Sequence, residues 1–140
     1  NENRKMILLD TSVLINYFRN IFFFFFLAED GIRDRNIPYG ICDFVYQELL
    51  QGTKTEKEFN ILKEYLDSIP FYYLKFGKKS YEKAALINFA CRKAGMTVRS
   101  TIDLLIAQIA IENNLFLLHS DEDFDLMASV VKELKIYNKM

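Results

Sequence analysis

Along most of this chain, short apolar runs alternate with longer stretches in which apolar residues recur every three or four positions. The first pattern fits a buried strand, the second an amphipathic helix. Strands separated by helices pair most readily in parallel, because the helix supplies the crossover. The sequence therefore predicts an α/β sandwich with a mostly parallel central sheet flanked by helices. At 140 residues the chain suits one domain, 1–140, since roughly 100–200 residues per domain is usual.

Residues 5–9 form the first predicted strand, ending at Asp10, and residues 12–19 read as helical. Residues 37–42 predict a second strand. Asp43 is placed to cap a helix that runs to Gln51 and closes at Gly52. Residues 55–68 have Phe59, Leu62, Leu66 and Ile69 at helical spacing, with Pro70 marking the end. A strand at 71–74 precedes a long helix over 78–94, with Tyr81, Ala85 and Phe89 on one face and Gly95 at its end. A helix over 100–113, a strand at 115–118, a helix over 121–131 and a short strand at 135–137 complete the order. There is no internal repeat.

One segment breaks the pattern. Residues 22–26 are five consecutive Phe, followed by Ala28-Glu29-Asp30-Gly31-Ile32-Arg33-Asp34. Adjacent aromatics match neither period, and an exposed run would invite aggregation. Residues 28–34 resemble the conceptual translation of a common DNA-sequencing adapter. Residues about 21–36 therefore read as a sequence artefact standing in place of a second helix. The alternative is a genuine Phe-rich helix for the core or a partner, and resequencing the source gene decides between them.

Composition narrows the function. The apolar run at 21–28 falls well short of the ~20 residues a spanning helix needs. The opening Asn1-Glu2-Asn3-Arg4-Lys5 lacks a signal-peptide pattern, so a soluble, cytoplasmic protein without a membrane partner is expected. Cys42 and Cys91 make neither a disulfide framework nor a zinc motif. A single histidine, His119, argues against a His-rich metal site or a His-based triad. Net charge is −1, yet residues 53–99 hold ten Lys/Arg against five Asp/Glu. A basic middle beside acidic flanks suits a protein that holds a polyanion on one surface and a cation elsewhere. Lysine-rich solvated helices explain the same counts.

In open α/β sheets, function concentrates at the carboxyl ends of strands. Asp10, Asp121 and Asp123 are predicted there, while Glu48 and Asp103 lie in helices that can converge on the same edge. Asp103 is the most informative of these acids. From residue 102 to 111 its helix contains only two polar residues, Asp103 and Gln108. A helix apolar nearly all round is buried, so a carboxylate in its first turn meets a desolvation cost. A local reading coexists with the functional one: Ser100 and Asp103 make a capping-box variant. Ser120 and Asp123 repeat that pattern, which leaves Asp121 with no structural reason beyond charge at a helix start. Asp10 also suits a strand-end turn, and Glu48 a solvated helix flank. Gathered in one cleft, these carboxylates would raise each other's pKa unless a divalent cation neutralised them. Without His or Cys ligands, Mg²⁺ or Mn²⁺ fits better than Zn²⁺. Such an ion activates water and stabilises charge on phosphate oxygens.

Four motifs carry a resemblance: residues 6–15 (MILLDTSVLI), 42–52 (CDFVYQELLQG), 98–107 (VRSTIDLLIA) and 117–125 (LLHSDEDFD). In this order they resemble the PIN-domain ribonucleases, and within them the VapC toxins of type II toxin–antitoxin systems. The resemblance spans nearly the whole chain apart from residues about 20–36. It implies a PIN-like three-layer sandwich and a Mg²⁺-dependent endoribonuclease, with Mn²⁺ as a substitute. It further implies a cognate antitoxin and a homodimer. By position, Asp10, Glu48 and Asp103 match the metal-centre acids of the family. Either Asp121 or Asp123 is the fourth, with Asp121 preferred. Thr11 or Ser12 supports the metal or a phosphate, or caps a helix, and Arg99 contacts a phosphate oxygen or pairs with a carboxylate. The basic residues Lys75, Lys78, Lys79, Lys83, Arg92 and Lys93 would hold an RNA backbone.

Two other functions are weighed. A phosphatase with Asp10 as nucleophile needs a second acid two residues on, where Ser12 stands. A PIN-like binding module that has lost activity would still bind metal and leave RNA intact.

Overall fold

The computed structural model describes residues 5–14 and 39–137. Five parallel strands form one sheet in the order β3-β2-β1-β4-β5: β1 (Ile7–Leu9), β2 (Tyr39–Cys42), β3 (Phe71–Tyr72), β4 (Phe116–Leu118) and β5 (Lys135–Ile136). The helices are α1 (Thr11–Leu14), α2 (Asp43–Gln51), α3 (Glu56–Leu66), α4 (Lys78–Lys93), α5 (Thr101–Glu112) and α6 (Glu122–Val130). The expected α/β architecture is borne out, with every described strand pair parallel. The adapter-like segment lies outside the described residues, as does most of the helix expected over 12–19. No helix among the described residues is long and apolar enough to cross a membrane.

β1 and β4 are central and fully apolar, as strands covered on both faces must be. Their register, Ile7 beside Phe116 and Leu9 beside Leu118, brings their carboxyl ends level. Successive strands run outward from β1 to β2 and β3 on one side and from β4 to β5 on the other. Strand order therefore reverses between β1 and β4, the crevice where open α/β sheets place their sites. Behind it, α5 buries seven consecutive residues, Leu104 to Ala110, and α4 and α6 pack against it. The remaining core is mostly aliphatic, joined by Cys42, Cys91 and the fully buried Phe124 and Met127 of α6.

Local chemistry explains most boundaries. Thr55 caps α3 by accepting the Glu58 N–H at 3.1 Å. α4 ends in a Schellman turn: Met96 N donates to Cys91 O at 2.8 Å and Gly95 N to Arg92 O at 3.0 Å. Gly95 there takes φ +82°, a conformation glycine adopts without strain. Gly40 is required for a different reason. A β-carbon at that position would lie 2.4 Å from Pro70 O, so only glycine lets β2 pass so close to the start of β3.

Two local expectations are corrected, and a third is completed. Cys42, not Asp43, is the N-cap of α2, and Asp43 occupies the first turn, where its charge suits the helix dipole. Asp121, not Ser120, caps α6. The face of α4 carrying Tyr81, Ala85 and Phe89 is turned to solvent, while Ser80, Ala84, Ile87 and Cys91 face the core.

Candidate active site

Asp10 directly follows β1 and is only 5% exposed. Its backbone N–H donates to Leu118 O at 3.0 Å, lashing the end of β1 to the end of β4. Its carboxylate accepts the Ser12 N–H at 3.0 Å and the Ser12 hydroxyl. Ser12 Oγ in turn accepts the Ser120 N–H at 2.9 Å. Ser12 thus ties the start of α1 to the loop after β4. The Thr11 hydroxyl is different. Its Oγ1 is buried and, among the described residues, is the one such side-chain atom without a hydrogen-bond partner.

Asp103 enters from α5. Ser100 caps that helix as expected, accepting the Asp103 N–H at 3.4 Å. Asp121 and Asp123 enter from the loop before α6 and its first turn, where Asp121 Oδ1 accepts the Asp123 N–H at 3.0 Å. One oxygen from each of Asp103, Asp121 and Asp123 lies within 4.8 Å of the others. The sequence offered Asp121 and Asp123 as alternatives, and the fold brings both to the cluster. Asp-x-Asp spacing at a helix start was the signal, since it puts both side chains in one turn.

The electrostatics bind Asp10 and Glu48 to the same place. Asp103 is pushed up to about 7, first by burial and then by the charges of Asp10, Asp121, Asp123 and Glu48. Glu48, on α2, is also raised, by burial and by Asp10, while the nearby Thr11 hydroxyl opposes the rise. Five acids from four separate stretches therefore share one field. Arg99 answers part of it. Its Nε and Nη2 donate to the two carboxylate oxygens of Asp123 at 3.3 and 3.4 Å, and its backbone N–H donates to Oδ2 at 3.4 Å. Asp123 raises the Arg99 pKa further. Of the two expectations for Arg99, the ion pair is the one present.

The donor set fits a hard divalent cation. It offers only oxygens, more negative charge than one arginine balances, a carboxyl whose pKa is pushed up to about 7, and the buried Thr11 hydroxyl beside Glu48. Sequence reasoning set His119 aside, yet its ring touches the cluster: Nδ1 accepts the Asp121 N–H at 3.1 Å. A histidine two residues before an acidic helix start was the available signal.

Comparison with known proteins agrees with the geometry. The PIN-domain family profile matches residues 7–130. Ribonuclease VapC11 of Mycobacterium tuberculosis is 31% identical over 131 residues, covering 89% of this chain and 93% of that protein. Among solved structures, VapBC-1 of nontypeable Haemophilus influenzae aligns with a TM-score of 0.68 at 20% identity, over 95% of this chain and 97% of that one. VapBC2 of Rickettsia felis, bound to a promoter DNA fragment, gives 0.67 at 19% identity, over 96% and 99%. At these identities the two structures speak to fold alone.

Proposed function

The chain belongs to the PIN-domain family, and on that premise we propose that it is the toxin of a type II toxin–antitoxin pair, a metal-dependent endoribonuclease hydrolysing RNA phosphodiester bonds. The observation that carries this reading is the convergence of Asp103, Asp121 and Asp123 oxygens within 4.8 Å, coupled to Asp10 and Glu48.

Asp10, Glu48, Asp103, Asp121 and Asp123 would hold Mg²⁺, or Mn²⁺ in its place. When bound, the ion supplies Lewis-acid stabilisation of charge on the phosphate and lowers the pKa of water. The protein's own groups do the rest. Asp103, whose carboxyl is pushed up to about 7 by burial and its acidic neighbours, would lose its proton on serving as a ligand. A carboxylate of the cluster accepts the proton of the attacking water. The Thr11 hydroxyl supports the site through the neighbouring Glu48 carboxylate, with Ser12 fixing the turn that places it. Arg99, engaged with Asp123, keeps that carboxylate ionised and aimed. The exposed basic residues Lys75, Lys78, Lys79, Lys83 and Arg92 steer and hold the RNA backbone.

The partners follow from the same premise. The 31% identity to a ribonuclease named VapC supports a cognate antitoxin as partner, and the cytoplasm as the place where the pair acts. A homodimer is supported by α4. Glu82, Leu86, Phe89 and Lys93 form a solvent-facing stripe at spacings of four, three and four residues. Leu86 and Phe89 are 61% and 64% exposed. Laid antiparallel against a second copy, the stripe is self-complementary: Leu86 meets Phe89 and Glu82 meets Lys93, twice over.

An RNA cleavage assay with Mn²⁺ tests the nuclease. The wild-type protein cuts, and Asp103→Asn, nearly isosteric but one charge short, does not. Equal cutting by both, or cutting that survives excess chelator, overturns the mechanism. Metal binding without any cleavage points instead to a binding module.

A further inference from the structure

His119 is the chain's only histidine, and its side chain is 5% exposed. The ring lies against the fully buried Phe124, centroids 5.2 Å apart. Packing alone would be satisfied by any apolar side chain of similar size. The two nitrogens are both engaged, however, and in a fixed sense. Nδ1 faces the Asp121 N–H at 3.1 Å, so it is an acceptor and carries no proton. The proton is therefore on Nε2, which donates to Asp125 Oδ1 at 3.2 Å.

The acceptor contact falls at a decisive point. Asp121 is the N-cap of α6, with extended backbone angles (φ −129°, ψ 123°). Its carboxylate accepts the Asp123 N–H, and Asp123 is in turn held by Arg99. Three links run in series: the His119 ring fixes the Asp121 amide, Asp121 fixes the Asp123 amide, and both carboxylates then meet Asp103. The second nitrogen ties the same ring to Asp125, one turn into α6. His119 thus spans the loop from the end of β4 to the first turn of the helix. A small rotation of the Asp121 peptide would swing its carboxylate out of the 4.8 Å cluster.

We infer that His119 is a positioning residue that holds Asp121, and through it Asp123, in the attitude that converges with Asp103 on a divalent cation. This rests on the reading of the acidic cluster as a metal centre and adds a residue that touches neither metal nor substrate. The link that matters is the acceptor at Nδ1. Asparagine places its carboxamide oxygen the same number of bonds from the backbone, whereas glutamine places its amide near Nε2 and leaves the Asp121 amide unanswered.

The test is Mn²⁺ binding to the full chain without RNA, followed by electron paramagnetic resonance of the free ion, for wild type, His119→Asn, His119→Gln and His119→Leu. Circular dichroism in chelator reports folding alongside. His119→Asn should bind within about threefold of wild type. His119→Gln and His119→Leu should bind roughly 10–100-fold more weakly, the usual effect of losing a group that orients a metal ligand. A folded His119→Leu protein with wild-type affinity, or equal losses in the Asn and Gln variants, overturns the positioning role and leaves the metal centre standing. If His119→Leu does not fold, the Asn–Gln comparison decides. Wild-type protein that binds no Mn²⁺ overturns the metal centre itself, and the positioning role with it.

Discussion

Replacing Asp103 by Asn should stabilise the protein while silencing it. In the folded state the Asp103 carboxyl is pushed from its ordinary 3.8 to about 7 by burial and four neighbouring carboxylates. Between these values the folded chain binds more protons than the unfolded one, so stability falls as pH rises from about 4 to about 7. Above that window the carboxylate is charged and the full penalty is present. At about 1.4 kcal/mol per pH unit, the whole displacement amounts to roughly 4 kcal/mol. Solvent reaches part of the group and screens it, which leaves about 1–2 kcal/mol. Asparagine mimics the neutral acid and removes the penalty. Urea unfolding in chelator should therefore show wild type losing stability from pH 5 to pH 8. Asp103→Asn should lose less and exceed wild type by ~1–2 kcal/mol at pH 8. Saturating Mn²⁺ should reverse the order, adding about 2.7 kcal/mol to wild type at 100 times its Kd. An Asp103→Asn protein less stable than wild type at pH 8 in chelator would refute the electrostatic argument.

Other consequences are testable with the same material. Gly40→Ala forces a β-carbon against Pro70 O and the Tyr72 ring, and should cost about 1–3 kcal/mol in urea unfolding. Phe124→Ala empties a fully buried position behind the acidic loop, and should cost roughly 3–5 kcal/mol. Glu82→Lys should push dimers toward monomers in analytical ultracentrifugation, and adding Lys93→Glu should restore them, because each swap acts twice across a two-fold axis. Neutralising Lys79 should lower the log–log salt slope of RNA binding by about 0.7 if that side chain contacts a phosphate.

The alternation of apolar runs with helical periods was enough to specify the order of strands and helices, since burial on both faces leaves a strand little choice but to be apolar throughout. Pro70, Gly95, Thr55 and Ser100 fixed boundaries through local chemistry that needs no distant partner. The caps of α2 and α6 were misread for local reasons. β2 runs on to Cys42, so that Asp43 already lies in the helix. Of the adjacent Ser120 and Asp121, it is Asp121 whose side chain accepts the Asp123 N–H. The outward face of α4 was equally beyond the pattern: Tyr81, Ala85 and Phe89 have the spacing of a buried stripe, and only the placement of α5 shows that Ser80, Ala84, Ile87 and Cys91 are the ones covered.

The candidate site divides in the same way. Position at strand ends and in an apolar helix nominated Asp10, Asp103, Asp121 and Asp123, because carboxylates there are costly to keep without a purpose, while Glu48 stood out mainly through the motif resemblance. Their meeting is a property of the sheet order. β1 and β4 lie side by side with level ends although more than a hundred residues separate them, so long-range strand pairing, which no local period encodes, sets the distance between their acids. That pairing also turns Arg99 into the partner of Asp123 and the lone histidine into a brace for Asp121.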